Sequence, residues 1–158
     1  MQKALLLDLL AQNEMTSGSV FHQVDCTNAT WRLTAEAASA GFLLRHVGET
    51  INRFGLFLGQ PTPIVNTTMG YSDNGQGRDV EASRALVAEG FAMLRRCIDS
   101  TPDAAWQEAV PTPFFGPVTR FRLFAHVLFH NSHHAGQIAL TLKRGNHSPL
   151  LEPLALQK

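Results

Sequence analysis

Apolar residues recur at intervals of three or four positions in four stretches of the chain, which is the period of an amphipathic helix. The pattern predicts helices over about 2–22, 30–58, 79–100 and 117–144. Alternation of apolar and polar residues never extends beyond a few positions, so no long strand is expected. The sequence therefore predicts an all-α fold, and its length suits a single domain over residues 1–158.

Residues that cap or break helices mark the predicted boundaries. Asn28 or Thr30 is placed to cap the second helix, and Gly59 followed by Pro61 is placed to end it. Asp79 is placed to cap the third helix.

The connection between the second and third predicted helices decides the topology. Gln60–Arg78 has nineteen residues rich in Pro, Gly, Asn and Ser. Fully extended it spans about 60 Å, whereas a 20-residue helix is about 30 Å long. A crossover along the bundle is therefore possible, and it predicts an up-down-down-up four-helix bundle. An up-down-up-down bundle is the alternative.

The composition excludes several classes of protein. Charged residues make up 16% of the chain, against about 25% in an average globular protein, and hydrophobic residues 44%, which excludes a disordered chain. Because the formal net charge is zero, nucleic acid is not expected as a partner, and self-association is favoured. Cys26 and Cys97 are too far apart for a CxxC motif, and neither a signal peptide nor an apolar membrane segment is recognisable. We expect a cytoplasmic protein.

Four of the seven histidines fall within nine residues of the fourth predicted helix. His126, His130 and His134 are four residues apart and share one face of that helix, whereas His133 lies about 100° to the side. Neighbouring imidazoles on one face are close enough to bind one metal ion. The pattern favours His130 and His134 as ligands, His126 as a packing or ligand-orienting residue, and His133 as a flanking residue that forms hydrogen bonds or faces the cavity.

A third ligand is expected from the second predicted helix. One of its faces carries Trp31, Ala35, Ala38, Phe42, His46, Glu49 and Arg53. The middle of this helix is near residue 44 and that of the fourth near 131, so antiparallel packing would place His46 level with the histidine pair. Glu49 is one turn further on, where it is placed to orient a ligand, accept a proton or bind the metal itself. A histidine on an apolar face is also commonly a core residue, which is the alternative for His46.

A site with three imidazole ligands and no thiolate suits a divalent cation such as Zn²⁺, Ni²⁺, Fe²⁺ or Mn²⁺, and the occupant depends on which metal is supplied. Such a site keeps a position open for water or substrate and so permits catalysis. Trp106, Phe114 and Phe115 belong to an irregular segment and are predicted either to line the site opening or to fix that segment to the core.

Two motifs resemble those of the DinB-like, or YfiT-like, superfamily of metal-dependent enzymes. They are His-Val-Leu-Phe-His-Asn-Ser-His-His-Ala-Gly-Gln-Ile at 126–138 and Leu-Arg-His-Val-Gly-Glu at 44–49. The resemblance implies an up-down-down-up bundle, a nickel or zinc ion held by His46, His130 and His134, and a homodimer. One departure is Ala135, where the family frequently has arginine, so any role of that arginine in dimer contacts or anion binding is in doubt.

Characterised members of this family handle low-molecular-weight thiols such as bacillithiol or mycothiol. The resemblance thus implies a thiol S-transferase, or a hydrolase-like enzyme that activates water, acting on a small-molecule substrate. A non-catalytic, stress-associated metal-binding protein is the main alternative. An interaction domain whose histidines fill a polar core layer is the third hypothesis.

Overall fold

The computed structural model describes residues 2–147, and four helices account for most of them. The helices are α1 (Gln2–Phe21), α2 (Ala40–Leu58), α3 (Val80–Ser100) and α4 (Arg120–Arg144). They form a bundle in which α1 and α2 each pack against both α3 and α4. The predicted four-helix bundle is confirmed. Across residues 2–147, the helices lack the combination of length and apolar character that spanning a bilayer requires.

Short extended segments add to the helices. The strands are β1 (Trp31–Arg32), β2 (Ala109–Thr112), β3 (Gly116–Thr119) and β4 (Asn146–His147), and a short 3-10 helix covers Asp103–Gln107. β1 pairs with β4 and β2 with β3, both antiparallel. Strands of two to four residues are too short to produce a detectable alternation. The β3 strand also explains why α4 begins at Arg120 rather than near Pro117.

The start of α2 lies about ten residues later than the sequence predicts. The helix begins at Ala40, and the hydroxyl of Ser39 caps it by accepting a hydrogen bond from the Phe42 amide. Asn28, one of the two predicted caps, instead accepts a hydrogen bond from the Asp25 amide within a turn. The prediction was wrong because an N-cap residue type also suits a turn. Three residues of the predicted apolar face therefore precede the helix: Trp31, Ala35 and Ala38.

The core lies between the helices, and α2 and α3 approach closely within it. Gly48 on α2 lies against Leu86, and Gly90 on α3 lies against Ile51. Because glycine has no side chain, the two helix backbones can come nearer than larger residues would permit. The largest fully buried side chains are Trp106, Phe91, Phe124, Leu6, Leu10, Leu44, Ile51, Met93, Leu94, Ile98, Leu123 and Ile138.

A buried ion pair fixes the long connection between α2 and α3 to the start of α2. Arg32 Nη2 lies 2.7 Å from Asp73 Oδ2, and both side chains are more than nine-tenths buried. The same carboxylate oxygen accepts a hydrogen bond from the Ser39 amide at 2.8 Å. A buried carboxylate with these partners holds the connection against the bundle. The same connection carries Thr67, which contacts Glu49, and Thr68, which contacts His46.

Candidate metal centre

Three histidines from two helices converge inside the bundle. His46 lies on α2, and His130 and His134 lie on α4. One ring nitrogen of each lies within 4.8 Å of the others, and Nε2 of His46 is 3.2 Å from Nε2 of His130. The structure thus brings together the three residues that the sequence indicates as metal ligands.

The helices place these side chains at one level. The middle of α2 is near residue 49 and that of α4 near residue 132. His46 lies about one turn before the first midpoint, and His130 and His134 lie on either side of the second. The level is close to the predicted one, although α2 is shorter than predicted.

Hydrogen bonds determine which nitrogen of His46 faces the cluster. Thr68 Oγ1 donates to Glu49 Oε2 at 2.8 Å, so its oxygen can only accept from His46 Nδ1, 3.2 Å away. The proton of His46 therefore sits on Nδ1. Its Nε2 keeps a free lone pair directed at the other two histidines, which is the form that binds a metal ion.

Glu49 is fully buried, and its carboxylate is surrounded by hydrogen-bond donors. The amides and hydroxyls of Thr67 and Thr68 donate to it, and Arg45 Nε donates at 2.8 Å. Burial raises the pKa of Glu49, but the hydrogen bonds from Thr67 and Thr68 and the charge of Arg45 outweigh it, so the pKa is lowered. An ionised carboxylate thus supports His46 through Thr68.

The other two histidines have different surroundings. Gln137 Oε1 accepts a hydrogen bond from His134 Nδ1 at 2.6 Å, which leaves Nε2 of His134 with its lone pair. Nδ1 of His130 is buried without a hydrogen-bond partner among the described residues. The polar contact of the His130 ring is therefore made by Nε2, which lies beside His46.

All three imidazoles are held in the neutral form. Burial, together with the neighbouring histidines, lowers the pKa of His130 to about 3. Burial and His46 lower the pKa of His134 to about 4, against a raising effect of Gln137. Burial also lowers the pKa of His46, opposed by the charge of Glu49. Because neutral imidazole is the ligand form, the rings are ready to bind a cation at neutral pH.

This donor set fits a divalent metal ion. Two nitrogens that share a tetrahedral ion at about 2.1 Å lie about 3.4 Å apart. The 3.2 Å between His46 and His130 is close to this separation. Three nitrogen donors with no thiolate suit a borderline divalent cation.

The remaining predicted residues lie around this centre. The ring of His126 is 6.5 Å from that of His130 and packs against Phe115 at 4.8 Å. His133 is exposed and lies edge-on to His134 at 5.1 Å.

The three aromatic residues of the irregular segment differ in burial. Trp106 is completely buried against Phe124, so it fixes the segment to the core. Phe114 and Phe115 are partly exposed and lie on the side of His126.

Sequence analysis missed Thr67, Thr68 and Gln137. Gln137 follows His134 by three residues on one helix, a spacing that brings side chains together and that the sequence does contain. No periodic signal identifies the two threonines, because they lie in the long connection.

Comparison with known proteins gives two matches. The family model for the DinB superfamily matches residues 9–138. A solved structure described as TT2238, a four-helix bundle protein, has a TM-score of 0.63 and 17% sequence identity, covering 87% of this chain and 98% of the other. At that identity the likeness shows the fold alone. Comparison with curated proteins gives no significant match.

Proposed function

Because this chain belongs to the DinB superfamily, we propose that it is an enzyme that depends on one divalent metal ion, with Ni²⁺ or Zn²⁺ as the first candidates. His46, His130 and His134 would hold the ion. The observation that carries the proposal is the convergence of three neutral imidazoles, with the free Nε2 of His46 fixed in direction by Thr68. Burying these polar side chains lowers the free energy of unfolding relative to a purely apolar core.

A divalent cation at such a site acts as a Lewis acid, which lowers the pKa of a thiol or water in its open position towards neutrality. We therefore propose that the substrates are a low-molecular-weight thiol, or water, and a small electrophile. The thiol is the substrate that the resemblance to the DinB-like superfamily implies.

The protein's own groups supply position and charge. Glu49 stays ionised and accepts a hydrogen bond from the Thr68 hydroxyl, so it fixes the His46 ring rather than taking a proton from substrate. Arg45 and Thr67 complete the carboxylate's hydrogen bonds. Glu49 is therefore assigned as a positioning residue.

We also propose that the four helices run up-down-down-up. Gly48 lies against Leu86 and Gly55 against Met93, which supports parallel α2 and α3 joined by a crossover. His46 lies beside His134 and Phe54 beside His126, which supports antiparallel α2 and α4.

Elemental analysis of untagged protein tests the metal site. We expect about one equivalent of Ni or Zn in the wild type and almost none in His46→Ala, His130→Ala or His134→Ala. His133→Ala is the matched control, because this exposed histidine is on the same helix but outside the cluster. Wild type without metal after reconstitution would contradict the proposal.

Conjugation of thiols to monochlorobimane tests the activity. The metal-loaded wild type should form the fluorescent conjugate faster than buffer with at least one low-molecular-weight thiol, and His134→Ala should not. If the protein accelerates conjugation of none of the thiols, while metal still binds and raises the melting temperature, the ion has a structural role, as the non-catalytic alternative predicts.

A homodimer is also proposed. Leu5 and Leu9 on α1 and Leu140 on α4 are large apolar side chains that are about half exposed, and the net charge is zero. Both features favour self-association. Light scattering should give twice the mass of the chain, and Leu9→Glu should lower it; a monomeric wild type at micromolar concentration would contradict this.

A further inference from the structure

We propose that a cluster of rings beside the histidine centre binds the planar, aromatic part of the enzyme's small-molecule substrate. The aromatic subsite, as we call it, consists of Phe54, Phe57, Phe114, Phe115 and His126. The inference rests on the proposed function and adds to it the class of substrate.

Ring contacts connect the subsite to a candidate metal ligand. Phe114 contacts Phe54 at 5.6 Å between ring centroids, and Phe54 contacts His126 at 5.6 Å. Phe115 contacts His126 at 4.8 Å, and His126 lies 6.5 Å from His130. The subsite and the histidine centre are therefore close enough together for one small molecule to contact both.

The two outer rings are exposed but held by a rigid turn. Phe114 is 51% exposed and Phe115 41% exposed, so each retains surface for a ligand. Thr112 Oγ1 donates to the Gly116 carbonyl and accepts from the Phe115 amide, which closes the turn between β2 and β3. Because the turn is fixed before a ligand arrives, binding costs little ordering.

Anchoring of the hairpin does not require these exposed rings. Val110 and Val118 already anchor the hairpin, because both side chains are buried in the hydrophobic core. The rings of Phe114 and Phe115 are edge-to-face, and Phe115 is also edge-to-face with His126. Rings in this arrangement present both faces and edges, which attract a further aromatic ring beyond the effect of buried area.

Binding of matched alcohols to the metal-free, full-length protein tests the subsite independently of the metal. Benzyl alcohol is planar at its ring, whereas cyclohexylmethanol has a similar size and is not. In NMR titrations we expect benzyl alcohol to shift the amides of 114–116 and 126–130, with an affinity about tenfold higher than that of cyclohexylmethanol.

Variants that remove a ring but keep an apolar side chain complete the test. Phe114→Leu combined with Phe115→Leu should reduce the preference to less than about twofold. Phe121→Leu is the control, because Phe121 is 39% exposed on the same helix as His126 and has no ring contact with the subsite among the described residues. An unchanged preference in the double variant, or none in the wild type, would overturn the proposal.

A second arm uses thiols and Co²⁺-loaded protein, whose visible absorption reports entry of a thiol. Phenylmethanethiol should bind more tightly than cyclohexylmethanethiol in the wild type, and equally in the double variant. Absence of any cobalt spectrum would contradict the metal site alone, since the alcohol titration still decides whether the aromatic subsite exists. Equal binding of the two thiols by cobalt-loaded wild type would contradict the subsite alone.

Discussion

Nε2 of His46 lies 3.2 Å from Nε2 of His130, although the two residues are 84 positions apart in the sequence. The Thr68 hydroxyl holds the opposite side of the His46 ring, and Glu49 holds that hydroxyl. The site therefore depends on three parts of the chain: α2, α4 and the connection between α2 and α3.

Replacing Thr68 should weaken metal binding. Thr68→Val keeps the shape of the side chain but removes the hydroxyl that fixes the His46 ring, so metal affinity should fall about 10- to 100-fold. Competition with a chelator of known affinity measures the change. Thr68→Ser restores the hydroxyl and should return the affinity to nearly that of the wild type. A Thr68→Val protein with unchanged affinity would show that the hydroxyl does not position His46.

Gln137 should orient His134 in the same way. Gln137→Ala removes the acceptor of the His134 Nδ1 hydrogen bond, and we expect metal affinity to fall about tenfold. Gln137→Glu keeps an acceptor at this position and should bind the metal at least as well as the wild type. The same chelator competition compares the two variants. Equal losses in both would count against orientation through this bond.

Acidification should destabilise the metal-free protein. In the folded state the pKa of His130 is about 3 and that of His134 about 4, whereas unfolding returns both towards the ordinary value of about 6.5. Below about pH 6.5 the unfolded chain therefore binds more protons than the folded protein, and the free energy of unfolding decreases as the pH falls.

Urea unfolding of chelator-treated protein at about pH 7 and about pH 5 measures this loss. His130→Gln removes one of the titrating groups and should lose less stability between the two conditions. Equal stability of the wild type at both pH values would contradict the lowered pKa values.

Substitution of Gly77 should destabilise the fold where the connection meets α2. A methyl group at Gly77 would overlap the backbone of Gly41, and both glycines are buried. Gly77→Ala should lower the free energy of unfolding by about 1–3 kcal/mol. The effect should extend to metal affinity, because the same connection carries Thr68.

Gly136→Ala is the matched control for that substitution. Gly136 is exposed within α4, and an added methyl group there meets no atom within 4 Å. This variant should be as stable as the wild type or more stable by about 1 kcal/mol, because alanine favours the helix. Denaturant unfolding compares the two variants, and a similar loss in both would rule out the backbone overlap as the cause.

Several features could be predicted because they depend on short-range periodicity. The four-residue spacing of His126, His130 and His134 places them on one helix face, whatever surrounds the helix. The capping of α3 by Asp79 is confirmed, since its side chain accepts a hydrogen bond from the Ala82 amide. The level of His46 relative to α4 follows from helix lengths, and an error in the start of α2 shifted its midpoint by little more than one turn.

The sequence by itself determined that four helices form and how the histidines of α4 are arranged around it, because helical geometry relates neighbouring residues by a fixed rotation and rise. Only the tertiary structure decided that Thr68 contacts His46, that Glu49 accepts a hydrogen bond from this threonine, and that His126 lies among phenylalanine rings. These contacts join residues through a connection without a repeating pattern. Its path is fixed by partners such as Arg32 and Asp73, whose pairing no local spacing reveals.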